Sequence, residues 1–125
     1  MELEVSTGEV VDKYTILCIK RLMIYEKEKI ENVEKEWEYL KSFLTIEEPG
    51  ILEDPLTEEL HKVNKELWDV EDRIRDCERN KIFEGEFISL ARSVYRLNDH
   101  RASIKKQINL KYGSIFVEEK SYKEY

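Results

Sequence analysis

"DPLTEELHKVNKELWDVEDRIRDCER", residues 54–79, decides the fold. Leu56, Leu60, Val63, Leu67, Val70, Ile74 and Cys77 recur at alternating steps of four and three, giving seven successive a/d positions. This spacing draws one apolar stripe along a helix, and so regular a stripe is buried against another helix. Asp54 is a capping acid and Pro55 suits the first helical turn, so the predicted helix runs from Pro55 to about Arg79.

Moving toward the N-terminus, "TIEEPGILEDP" (45–55) is a connection with a Pro-Gly turn signal. Before it, Ile30, Val33, Trp37, Leu40 and Leu44 mark a second amphipathic helix over about 27–44. Ser6 and Glu9 form an S-x-x-E capping box that opens an earlier helix reaching about Tyr25. Val10, Tyr14, Leu17, Cys18, Leu22, Met23 and Ile24 make that helix apolar over most of its circumference, so it should be the centre of the domain. No Gly or Pro separates these two helices, and a bend is expected near 25–28.

Toward the C-terminus, "NKIFEGEF" (80–87) breaks the pattern, and a fourth helix follows over about 86–111, stopping near Gly113. "ELEV" (2–5) and the closing "SIFVEEKSYKEY" (114–125) have the composition to pair as strands. The expected fold is all-α: one domain over 1–125, an antiparallel bundle of about four helices, with the option of a tiny two-stranded sheet from the two termini.

Charged residues make up 39% of the chain with both signs interspersed, which suits salt-bridged helices better than disorder. The formal net charge of −7 argues against general nucleic-acid binding, which needs a clustered basic surface. No apolar run approaches a membrane span, and "MELEVSTGE" lacks the layout of a signal peptide. Cys18 and Cys77 lie in apolar runs and read as reduced core thiols, which implies a cytoplasmic protein.

The fourth helix raises a problem. Leu90, Val94, Leu97, Ile104 and Ile108 keep helical spacing, yet Asn98, Arg101 and Lys105 fall on or beside the same face. On the third helix Glu71 borders the stripe, with Asn64 and Arg75 on its flank; on the first, Glu9, Lys13 and Lys20 share one side. Buried unpaired charge costs several kcal/mol, so these groups need partners, water or a ligand. One reading is an internal salt-bridge lattice, pairing Arg101 with Glu71 and Lys13 with Glu9. The other is a polar pocket among the first, third and fourth helices. There Lys13, Lys20, Arg92, Arg101 and Lys105 supply charge, and Tyr95, Asn98 and Asp99 supply hydrogen bonds, with Glu9, Glu71 and Arg75 in support. Such a set would hold a phosphate or carboxylate, because arginine offers a planar fork and lysine a point charge.

Other chemistry is not signalled. His61 and His100 lie apart without an acidic ligand pattern, the Glu-rich segments alternate with lysines, and no metal site, cofactor or catalytic residue is assigned. There is no phosphate-cradling glycine loop, dinucleotide fingerprint or nucleophile elbow.

The segments "VSTGEVVDKYTILCIK", "ELWDVEDRIRDCERNKIF", "FISLARSVYRLNDHRASIKKQINLKYGS" and "VEEKSYKEY" span nearly the whole chain. In them it resembles a family of small, uncharacterised helical proteins of bacteria, phages and large DNA viruses. The resemblance brings no catalytic residues. It implies an accessory role near glycosyltransferases or surface-carbohydrate synthesis, and its motif residues (Asp12 and Asp72 among them) overlap the misplaced polar set. The expected function is a non-enzymatic module for a small anionic metabolite, a nucleotide or nucleotide-sugar, sequestering a signalling nucleotide if the source is viral. A homo-oligomer is expected. The rivals are a protein-interaction adaptor, with a glycosyltransferase as partner, and a small metal-independent helical enzyme.

Overall fold

The computed structural model describes residues 1–125 and is all-helical, with α1 at Thr7–Met23, α2 at Lys27–Glu47, α3 at Pro55–Arg79 and α4 at Gly85–Lys111. A short 3-10 turn, Ile51–Glu53, joins α2 to α3. Each long element starts or stops where local chemistry directs. The Ser6 hydroxyl accepts the Glu9 backbone N–H at 3.2 Å, capping α1. Only half of the expected capping box forms, because the Glu9 carboxylate reaches Lys105 at 2.7 Å instead.

At Ile24 the backbone turns extended, and the chain does more than bend: it folds back, so that α2 lies along α1. Arg21 Nε donates to Glu34 at 2.7 Å, and the Trp37 indole N–H donates to Cys18 Sγ at 3.3 Å. Tyr14 stacks on Trp37, over whose ring also lie the Arg21 guanidinium, 3.6 Å from the centre, and the Lys41 ammonium, at 4.8 Å. The tryptophan is thus packing material between two helices.

The turn after α2 carries Gly50 at φ +90°, a left-handed conformation that favours glycine, and delivers Ile51 wholly buried into the core. Asp54 then caps α3 through the Leu56 N–H at 2.8 Å while gripping Lys111 at 2.6 Å and the Tyr112 hydroxyl. Burial alone would raise the Asp54 carboxyl, but these hydrogen bonds outweigh it and hold the group below the ordinary aspartate value.

Val11, Leu44, Ile51, Leu60, Val63, Ile104 and Ile108 form the core, so every helix contributes. α1 packs against each of the other three helices, as its apolar circumference requires. α2 lies against α1 and the 3-10 turn, outside the more extensive α3–α4 contact. Cys77 is buried and Cys18 half-buried, both free.

The expected sheet is absent: residues 1–5 and 114–125 contain no strand and share no backbone hydrogen bonds. Parts of the two segments face a common hollow of about 300 Å³ rather than each other's backbones, and Glu118 is drawn to Lys105 of α4. α4 instead closes on a Schellman turn, with Gly113 at φ +63° and the Ser114 N–H on the Asn109 carbonyl at 2.9 Å. The start of α1 is tied down from α4 by side chains. Asn109 Oδ1 accepts the Gly8 N–H at 2.6 Å, and Ser114 Oγ accepts the Thr7 N–H at 3.1 Å.

Candidate functional site

Asp12 is the pivot of the polar interior. It is 1% exposed, and its carboxylate takes the Arg101 Nε at 2.9 Å and Nη2 at 2.5 Å, a side-on bidentate pair. Asn64 of α3 adds its amide N–H at 2.9 Å and also reaches the Thr15 hydroxyl, which in turn donates to the Asp12 carbonyl. Lys105 sits alongside at 4.0 Å, hydrogen-bonded to Glu9 and, at 3.3 Å, to Glu118 of the C-terminal segment. Asp12 holds the Arg101 guanidinium above its ordinary value against the opposing pull of burial. Burial lowers the Lys105 ammonium, but the Glu9 hydrogen bond and the charges of Asp12, Glu9 and Glu118 prevail and leave it raised.

Close approach makes the network possible. A Cβ on Gly8 would stand 2.5 Å from the Lys105 carbonyl oxygen and 2.9 Å from Asn109 Oδ1. The glycine therefore lets the first turn of α1 settle onto α4, which puts Glu9 and Asp12 within reach of Lys105 and Arg101.

Beyond this network opens a groove of about 530 Å³ between α1, α3 and α4. Ile16, Leu67 and Trp68 supply its apolar wall, and Asn64, Glu71, Asp72, Arg75, Asn98 and Arg101 its polar groups. Arg75 is paired with Glu71 one turn away at 3.0 Å, whereas Asp72 forms no ion pair. The Trp68 indole N–H is buried without a hydrogen-bond partner. Arg101 spends its Nε and Nη2 on Asp12 and contacts Asn98 Oδ1 only at 3.4 Å, so the outer edge of its guanidinium remains available. A larger hollow of about 860 Å³, under Leu3 and beside Tyr39, Phe43 and Tyr112, is lined by four glutamates and by no lysine or arginine.

Of the anticipated site residues, the groove collects Glu71, Arg75, Asn98 and Arg101, with Lys105 and Glu9 in the network behind it. The other five sit elsewhere. Lys13 faces α2 and pairs with Glu36 at 3.7 Å. Tyr95 and Asp99 meet Tyr125 of the C-terminal segment, and Arg92 is exposed beside Tyr95. Lys20, half-buried, makes no ion pair and lines none of these hollows. The lattice is real but its expected pairs are corrected: Arg101 bonds Asp12 rather than Glu71, and Lys13 pairs with Glu36 rather than Glu9. Helical spacing ranks neighbours along one helix; it does not show which side chain arrives from another.

Three members escaped a reading by periodicity. Asn109 and Glu118 act only across long sequence separations. Gly8 gave a faint signal, being a poor helix former in a first turn. Asp12, present among the motif residues, is a lone acid within "VVDKYTIL" on the apolar side of α1.

The chain belongs to a family of unknown function (DUF6165), which matches residues 1–125. Neither the curated proteins nor the solved structures yield a match. No group of histidines, cysteines and carboxylates is arranged to hold a metal ion, and no helix is long and apolar enough to cross a membrane.

Proposed function

We propose that the groove between α1, α3 and α4 binds a small polar metabolite carrying an anionic group, of the nucleotide-sugar class. The observation that carries this reading is an arginine already locked in orientation at the groove; the buried, uncommitted Trp68 indole N–H is a second donor, which a ligand reaches only by displacing what covers it. Clamped side-on by Asp12, Arg101 presents its outer edge to a phosphate without first losing rotamer freedom. The groove's volume falls within the range of small-ligand sites, and its lining, six polar or charged residues beside three apolar ones, suits a polar ligand rather than an apolar one.

Its charge favours a glycosyl group over a bare polyphosphate. Arg75 is neutralised by Glu71 and Arg101 by Asp12, while Asp72 stands without an ion pair, so dense negative charge would meet a groove with an unbalanced carboxylate. Hydroxyls of a sugar ring, by contrast, donate to Asp72 and Glu71 while the ring lies against the indole. The reading takes the bundle as antiparallel, supported by the order of contacts: Gly8 with Asn109, Glu9 with Lys105, Asp12 with Arg101. It assigns no bond-breaking step.

Calorimetry and thermal shift with free sugars, nucleoside mono- and diphosphates, and nucleotide-sugars test it directly. Nucleotide-sugars should raise the melting temperature by several degrees near 100 times Kd, with weaker shifts from each half alone. The absence of any shift at millimolar concentrations from all three sets overturns the proposal.

A second reading, an adaptor or self-associating module, draws on the exposed Leu3, Tyr39, Phe43, Ile46 and Ile115. Light scattering across concentration separates it from a monomeric ligand binder.

A further inference from the structure

Residues 115–125 have no regular structure and no backbone hydrogen bonds to the bundle, yet they lie docked against α4, with Phe116, Val117 and Glu118 also facing Glu9 of α1. Side chains alone hold them. Glu118 reaches Lys105 at 3.3 Å, Glu119 straddles Lys106 at 3.1 and 3.2 Å, and the Tyr125 ring meets Tyr95 edge-on with centroids 4.8 Å apart. Gly113, with its positive φ, and Ser114 form the pivot from which the segment departs.

The charges around Lys105 show why this attachment is expendable. Arg101 and Lys105 face three carboxylates: Asp12, Glu9 and Glu118. Asp12 and Glu9 already balance the two cations. Removing either one would strand a buried charge, whereas lifting Glu118 away leaves two cations with two anions. Of the remaining contacts to the bundle, Lys106 with Glu119 is an exposed pair of the kind that contributes little and is screened by salt, and the exposed Tyr125 ring meets Tyr95 and Asp99 at the very end of the chain.

We propose that residues 115–125 form an electrostatic latch over an anion-binding stripe on α4, held by Glu118, Glu119 and Tyr125 and released by salt without unfolding of the bundle. Release uncovers Lys106, one side of Lys105, and Tyr95, on the stretch that also carries Arg92, Arg96 and one carboxylate, Asp99, which faces Tyr125. The latch supplies in cis what an outside partner would supply in trans: an acidic, tyrosine-bearing polypeptide segment. The latch meets the polar network behind the groove at Lys105, but none of residues 115–125 lines the groove itself, so its release can be read without the ligand proposed there.

Tryptic cleavage after Lys120 and Lys123 in the full chain, normalised to a free peptide of residues 114–125 in the same buffer, reads docking directly. At low salt the chain should be cut about fivefold more slowly than the peptide, corresponding to two weak ion pairs. At 1 M NaCl the difference should vanish, along with the nuclear Overhauser contact between the Tyr95 and Tyr125 rings. The double variant Glu118→Lys/Glu119→Lys should behave at low salt as the wild type does at high salt, with an unchanged helical circular dichroism spectrum. Cleavage at the peptide's rate at every salt concentration would overturn the latch, and so would protection that neither salt nor the double variant removes.

Discussion

Arg101 grips the carboxylate of Asp12 with two hydrogen bonds across 89 positions of sequence, joining α4 to α1 in the buried polar interior of the bundle. Asp12 is almost wholly buried while the Arg101 side chain keeps 29% of its exposure, so the pair is anchored at one end and open at the other. This asymmetry lets one residue serve both the fold and the groove.

Replacing Asp12 with Ala should destabilise the protein by about 3 kcal/mol, because Arg101 and Lys105 lose their shared anion and the Asn64 amide loses its acceptor. Urea unfolding measures it. The double variant Asp12→Ala/Arg101→Met should cost clearly less than the sum of the two single changes. Strict additivity would mean that the pair contributes nothing through its contact.

Gly8→Ala tests the close approach of α1 to α4. Elsewhere in a helix this change stabilises, but here the methyl meets a backbone oxygen at 2.5 Å, which must move. We expect a loss of about 1–3 kcal/mol. Asn109→Ala, which removes the acceptor for the Gly8 N–H, should cost about 1–2 kcal/mol in the same measurement. A melting temperature unchanged in both would remove this contact from the account of the fold.

Stability should fall at both ends of the pH scale, for opposite reasons. The folded-state pKa of Asp54 lies below its unfolded value of 3.8, so its contribution is complete above that value and is lost as pH falls through the folded pKa. Tyr112, raised from 10.0 to about 12 by burial and then by its hydrogen bond to Asp54, contributes fully below pH 10 and loses that contribution as pH rises toward 12. Tyr14, raised to about 12 chiefly by burial and next by Cys18, acts in the same direction. Unfolding midpoints measured against pH should show Asp54→Asn flattening the acid limb and Tyr112→Phe the alkaline one.

Trp68→Phe keeps most of the aromatic wall but removes the unpartnered N–H. Binding of a nucleotide-sugar should weaken by about tenfold, while stability holds or rises slightly as an unsatisfied buried donor disappears. Asp72→Asn should weaken the sugar-bearing ligand more than the nucleotide alone. Calorimetric titration of the two variants distinguishes these effects, and unaltered affinity in both would place the ligand outside the groove.

Helix existence was legible because periodicity and caps are local. The a/d run from Leu56 to Cys77 and the Asp54–Pro55 start mark α3 from sequence, and Gly113 marks where α4 ends. The polar intrusions Asn98, Arg101 and Lys105 were visible as anomalies for the same reason. Their partners were not: Glu71 lies on the flank predicted for Arg101, yet it is spent on Arg75 one turn along its own helix. Strand pairing of the termini was read from composition alone, which says nothing about Glu118 being drawn to Lys105 of α4.

The sequence by itself determined four helices, their apolar faces and the presence of charge that could not stay unpaired, because hydrophobic spacing and backbone capping act over one or two turns. Only the tertiary structure decided that Asp12 takes Arg101, that Gly8 admits α1 against α4, and that Trp68 is left without a partner. Those outcomes depend on the distance and rotation between helices, set by the packing of Val11, Leu60, Ile104 and Ile108 in the core they share. No spacing within a single segment encodes them.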